Sequence, residues 1–186
     1  MASPSSSSEE AHSRASDFLD RTLRRDPKTT FLLKAMAESG CSVDPEKFFT
    51  VEHCDSAIAG GFRPTSGVVV CSNHVQTQEE VDNLVAHELI HAYDHCRGAN
   101  LDWNDCRHHT CSEIRAASLS GDCQWLFEAL RGNFGLHKQH QACVRRRAKL
   151  SIAMNPACGD PDDQEKAVDD CFERCFADTA PFDRIP

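Results

Sequence analysis

Apolar residues recur at helical spacing near the start of the chain. In "ASDFLDRTLRRD" (15–26) Phe18, Leu19, Thr22 and Leu23 share one stripe. "KTTFLLKAMAESG" (28–40) predicts a second helix, which Gly40 stops. Both are simplest as core packing. Residues 1–13 are Ser-rich and polar with no such period. They predict a disordered tail, leaving 14–186 as a single domain. The pattern then changes. "FFTVEHCDSAIAGGFRPTSGVVVCSNHV" (48–75) is β-branched and aromatic, with breakers at Gly60-Gly61 and from Pro64 to Gly67. It reads as strand, turn, strand, with "GVVVCSN" a buried or half-buried strand.

Helical period returns in "TQEEVDNLVAHELIHAYDHC". Thr77 is a good N-cap, Glu80 completes a capping box, and Val81, Leu84, Val85, Leu89 and Ala92 form the apolar surface. Residues 97–110 read as a loop and 111–130 as a helix interrupted near Gly121. A further helix covers 138–155, Pro156 to Pro161 form a turn, and 162–178 make the last helix. Val168, Cys171, Phe172, Cys175 and Phe176 are the apolar stripe of that last helix. The final two helices are expected to form an antiparallel hairpin. Register counting from its turn places Cys175 opposite Cys143, a candidate disulfide. The fold class is therefore α+β, with a small sheet and a disulfide-stapled helical hairpin at the C-terminus.

Composition narrows the setting. The 186 residues carry 29 acidic and 20 basic side chains, a net charge of −9. That excludes general nucleic-acid binding, which needs a basic face. No apolar run approaches the length needed to span a bilayer, so any membrane association is expected to be peripheral. Eleven cysteines without a CxxC pair favour disulfides over a thiolate zinc scaffold, and the odd count leaves at least one unpaired within the chain. Disulfides imply an oxidising compartment. Yet the first residues lack the apolar core of a secretory signal, and Glu9, Glu10 and Asp17 make a poor mitochondrial presequence. By elimination, the expected compartment is the mitochondrial intermembrane space.

The candidate chemistry lies in "NLVAHELIHAYDHCRG" (83–98), which contains His-Glu-x-x-His as His87, Glu88 and His91. Residues four apart on a helix share a face, so two imidazoles at that spacing can bind one Zn²⁺. The Glu between them sits beside the metal, placed to take a proton from water. A catalytic zinc normally takes a third protein ligand. A metzincin would put His at 97, but Arg stands there, and Asp94 replaces the expected Gly. Glu113, 22 residues after His91 and at the start of a further helical stretch, resembles the gluzincin plan. His108, His109 and Asp94 remain rivals, and His95 is turned away from His87. Tyr93 projects off the His87/His91 face, leaving Arg115 and the His108/His109 pair as candidates to stabilise an oxyanion. "GVVVCSN", preceding the helix, is expected to be an edge strand that pairs with an extended substrate.

"HELIHAYDHCR" followed by "DWNDCRHHTCSEIRAASLSGDC" resembles the mitochondrial inner-membrane-associated metallopeptidases that help assemble ATP synthase, also called the Ku-binding protein family. "GVVVCSN", "CVRRRAKLSIAMNP" and "DDCFERCFADTAPFD" match as well, so the similarity covers about residues 30–183. The resemblance implies a zincin-like metallopeptidase on the intermembrane-space face of the inner membrane, imported by an oxidative cysteine relay and carrying several disulfides. It implies His87 and His91 as zinc ligands and Glu88 as the catalytic residue. Glu113 rests on spacing. The implied substrate is the precursor of the ATP synthase proton-channel subunit, together with a chaperone role in assembling the membrane sector that does not need proteolysis. A pure binding module is the alternative to an enzyme, and a nuclear Ku partner is a third reading, against which the charge and the cysteines weigh.

Overall fold

In the computed structural model, which describes residues 4–98, 100–124, 132 and 138–186, the chain forms two compact units, Met1–Arg97 and Gly98–Pro186. The first begins with helix α1 (Pro4–Arg25) and helix α2 (Pro27–Glu38). Helix α1 starts well before the apolar stripe and takes in most of the Ser-rich stretch. Two polar ties hold that early part. The His12 ring donates to the Val51 carbonyl at 3.2 Å, and Arg14 donates to Gln76 at 3.2 Å. Ala15, Leu19 and Thr22 are its buried line. The Asp26 side chain accepts from Thr29 N–H to start α2. Gly40 ends the segment at φ +89°, a left-handed position that glycine occupies without strain.

The sheet has three strands where the pattern suggested two. A short helix α3 (Pro45–Phe48) leads into β1 (Phe49–Glu52), followed by β2 (Gly60–Arg63) and β3 (Gly67–Cys71). Their order is β1-β3-β2, with β1 parallel and β2 antiparallel to β3. Gly60-Gly61 is therefore strand and not a breaker. A Cβ at Gly60 would stand 2.3 Å from the Val69 carbonyl oxygen, so glycine there permits a close strand approach. A second correction concerns β3. It is the central strand, buried at every residue, with both edges already hydrogen-bonded to neighbours. It cannot add a substrate strand, and an unbroken apolar run is what a doubly flanked strand requires.

Helix α4 (Gln78–Arg97) packs against α2, α1, β2 and β3. Its predicted surface is buried at Val81, Val85, Leu89 and Ala92. Two disulfides brace this unit. Cys41–Cys96 ties the end of α2 to the last turn of α4, and Cys54–Cys71 ties the loop after β1 to the end of β3.

The second unit is built on helix α5 (Cys106–Leu119), with α6 (Gln139–Ile152), a 3-10 turn (Pro156–Cys158) and α7 (Pro161–Ala177). Asp105 caps α5, its carboxylate accepting from the N–H groups of Arg107 and His108. The Arg107 N–H holds that carboxyl below the usual Asp range. The cap starts the helix early, so His108 and His109 belong to its first turns and not to the loop expected there. The helical reading of 111–130 holds as far as Leu119; its residues 125–130 lie outside those described.

The expected Cys143–Cys175 link is wrong. Cys175 bonds Cys111 and Cys143 bonds Cys123, while Cys106–Cys158 fastens the 3-10 turn to the start of α5. The reason is packing. Helices α6 and α7 each lie against α5 more extensively than against each other, so the staples run from each of them to the α5 segment. Phe172 is fully buried, stacked on Phe176 at 5.1 Å, with the Arg145 guanidinium 3.7 Å over its ring.

Ten cysteines are thus paired and Cys171 is the free one. Burial pushes its thiol above the ordinary range, so little thiolate exists near neutral pH. Titrating unreduced, denatured protein should find one thiol per chain, and none in Cys171→Ser. In the native protein that thiol should alkylate more slowly than after unfolding. Two or more thiols in the unreduced chain would overturn the pairing.

Candidate metal centre

The geometry of α4 begins at its N-terminus. Thr77 Oγ1 accepts from Glu80 N–H at 3.2 Å, and Glu80 Oε2 accepts from Thr77 N–H at 3.0 Å and from Gln76 N–H at 2.7 Å. The capping box read from the sequence is present, and it fixes where the helix starts and hence which side chains share a face. Val85, Ala86, Leu89 and Ile90, all fully buried, lock the rotation of the helix about its axis. His87 and His91 consequently project together, with ring centroids 4.9 Å apart and planes at 76°. His91 is 5% exposed and Glu88 6%. A carboxylate so far out of water is an expensive group to keep without a chemical use.

Beyond this pair the helix turns structural. Asp94, a rival for the third ligand position, pairs with Arg97 at 3.1 Å, and that guanidinium lies 5.4 Å over the Tyr93 ring. His95 is exposed beside the Phe62 ring.

Glu113 sits mid-way along α5 and is 5% exposed. Its Oε1 lies 3.1 Å from His109 Nε2, one helical turn earlier. The other ring nitrogen of His109 meets Asn155 Nδ2 at 2.9 Å. Both nitrogens of His109 are therefore engaged, one with Asn155 and the other with Glu113. His108 is exposed, and its Nδ1 accepts from Asp102 N–H at 3.2 Å. Arg115, a candidate for oxyanion stabilisation, is 1% exposed; it pairs with the Asp178 carboxylate at 2.7 Å and donates to the Asp178 and Ala180 carbonyls. Its contacts anchor the C-terminal segment. Sequence reasoning missed Asn155 entirely. The available signal was Asn-Pro before Cys158, since Asn155 caps the 3-10 turn that this cysteine staples to α5.

Among the described residues, no helix is long and apolar enough to cross a membrane. Known proteins add the following. The mitochondrial inner membrane protease ATP23 homolog of Homo sapiens is 47% identical over 168 residues, covering 89% of this chain and 68% of the human protein. The homolog of Danio rerio is 49% identical over 162 residues, covering 86% of this chain and 63% of that protein. The mitochondrial inner membrane protease ATP23 of Mycosarcoma maydis is 39% identical over 198 residues, covering 92% of this chain and 91% of the fungal protein. This chain thus spans between 63% and 68% of the length of these two vertebrate relatives. No solved structure matches it. The model of the peptidase M76 family matches residues 13–183, nearly the whole chain, and the protein belongs to that family.

Proposed function

We propose that this protein is a zinc-dependent endopeptidase, of zincin-like, gluzincin type, working at the intermembrane-space face of the mitochondrial inner membrane. The observation that carries the reading is chemical and geometric. His87 and His91 project together from α4 with ring centroids 4.9 Å apart, next to the buried Glu88, and Glu113 is a buried carboxylate on α5. Two imidazole nitrogens and a carboxylate oxygen are a donor set that suits zinc and leaves a fourth position for chemistry. Zinc bound there would act as a Lewis acid toward the scissile carbonyl and lower the pKa of water.

The rest is the work of this chain's own residues. His87 and His91, fixed on one face by α4, and Glu113 on α5 hold the metal. Glu88, adjacent to His87 and almost fully buried, takes a proton from the attacking water as its oxygen bonds to the carbonyl carbon. The same carboxyl then returns that proton to the amine as the C–N bond breaks. An extended substrate needs a strand to lie against. Since β3 is interior, that task falls to an outer strand, and β2, packed on α4, is the one we assign. A side chain at Gly61 would meet nothing within 4 Å, so the surface there has space beside it.

The compartment and the substrate are our assignment, made in line with the family resemblance. The relatives' names place them at the mitochondrial inner membrane as proteases, and five disulfides suit an oxidising space. The substrate we assign is the presegment of the ATP synthase proton-channel subunit, with peripheral membrane attachment and assistance to assembly of the membrane sector. Metal analysis tests the centre. The purified chain should hold about one zinc, and His87→Ala with His91→Ala should hold none while the far-ultraviolet circular dichroism stays unchanged. A wild-type chain that is folded and takes up no zinc would end the proposal.

A further inference from the structure

We infer that His109 and Asn155 are positioning residues that set the orientation of the Glu113 carboxylate for metal binding. The inference rests on the zinc reading above. Its starting point is the direction of each hydrogen bond. Asn155 Oδ1 accepts from Ala157 N–H at 3.0 Å, as the cap of the 3-10 turn, and Asn155 Nδ2 donates to the Trp103 carbonyl at 3.0 Å. These two bonds fix which end of the amide is which. An amide NH₂ cannot accept, so the His109 Nδ1 that faces it at 2.9 Å must be the acceptor. In a neutral ring the proton is then on Nε2, and that N–H donates to Glu113 Oε1 at 3.1 Å.

The arrangement is rigid from end to end. Cys158, in the turn that Asn155 caps, is bonded to Cys106 at the start of α5. The Trp103 and His109 rings meet in a T-shaped pair with centroids 5.8 Å apart. His109 stands four residues before Glu113 on the same helix, so the donor and its carboxylate cannot drift apart. A carboxylate ligand that can rotate spends entropy at each binding event. One whose first oxygen is held by a ring N–H presents the second in a fixed direction.

The test is zinc affinity, measured on the full apo chain by competition with a chromogenic chelator, beside the absorption spectrum of the cobalt-loaded protein. His109→Ala and Asn155→Ala should each weaken zinc about 10–100-fold and shift the cobalt bands; the apo melting midpoint should stay unchanged in His109→Ala and fall in Asn155→Ala, which also removes the cap of the 3-10 turn. His109→Gln, whose amide can donate to Glu113, should recover most of the affinity; Glu113→Ala should lose binding altogether. Equal affinity in wild type and His109→Ala would overturn the inference and leave the zinc reading intact. So would a loss in His109→Ala as complete as in Glu113→Ala without rescue by Gln, which would make His109 a ligand. A lowered apo melting midpoint in His109→Ala with no rescue by Gln would reduce the pair to structural residues and overturn it too. A wild-type chain that binds no zinc overturns the reading beneath it instead.

Discussion

Glu88→Gln is expected to abolish measurable cleavage while leaving the fold and the zinc content intact. The side chain is 6% exposed on α4 between residues whose own positions are set by a fully buried apolar face. Glutamine has nearly the same volume, so packing does not change. What changes is proton chemistry. A carboxylate accepts a proton, whereas an amide at neutral pH does not. Removing a positioned general base costs about 10²–10⁴-fold in rate, and the lost return of the proton to the leaving amine adds to that. The measurement is cleavage of a peptide spanning the presegment junction of the assigned substrate, at equal zinc loading of wild type and variant. Unchanged cleavage in a zinc-loaded Glu88→Gln chain would remove Glu88 from the mechanism. Assembly of ATP synthase in cells carrying the variant separates the two proposed roles. Assembly without cleavage would assign the chaperone task to the fold alone.

The residues best read from sequence are those whose relationship is local. The capping box of Thr77 and Glu80, the His87/His91 spacing and the buried face of α4 all follow from the period of one helix. Such features need no knowledge of what packs where. The failures are of the other kind. The Cys143–Cys175 pairing assumed that two consecutive helices face each other, and a third helix, α5, takes that place. "GVVVCSN" as an edge strand assumed a two-stranded reading. The additional strand β2 begins at Gly60-Gly61, a pair that mimics a turn, and at Gly60 the missing side chain permits the close approach to β3. Among the third-ligand candidates, spacing could rank Glu113 but could not show why His109 differs from it. That distinction lies in Asn155, 46 residues further on, which only the folded chain brings to the His109 ring.

The Cys111–Cys175 disulfide should prove the most stabilising of the five. Its sequence separation of 64 is the longest, and in the chain-entropy account the restriction on the unfolded state grows with the loop closed. Replacing both cysteines by Ala should cost about 4 kcal/mol, against about 3 kcal/mol for the Cys54–Cys71 pair with its separation of 17. Each pair also has one buried cysteine, Cys71 at 1% and Cys175 at 3% exposed, so packing does not reverse the order. Cys175 is 3% exposed in the cluster that holds Phe172, Val144 and Ile114, so Ala there also leaves a small void. Urea unfolding followed by a signal from the second unit would measure the difference, since Cys111–Cys175 lies wholly within residues 98–186. A loss below about 1 kcal/mol would mean that residual structure in the unfolded chain already restricts it as strongly as the bond does. The functional consequence follows from position. Cys111 precedes Glu113 by two residues on α5, so loosening this staple should weaken zinc binding more than opening Cys54–Cys71 does. A variant lacking Cys111–Cys175 with wild-type zinc affinity would show that the Asp105 cap and the Cys106–Cys158 link suffice to hold the start of α5.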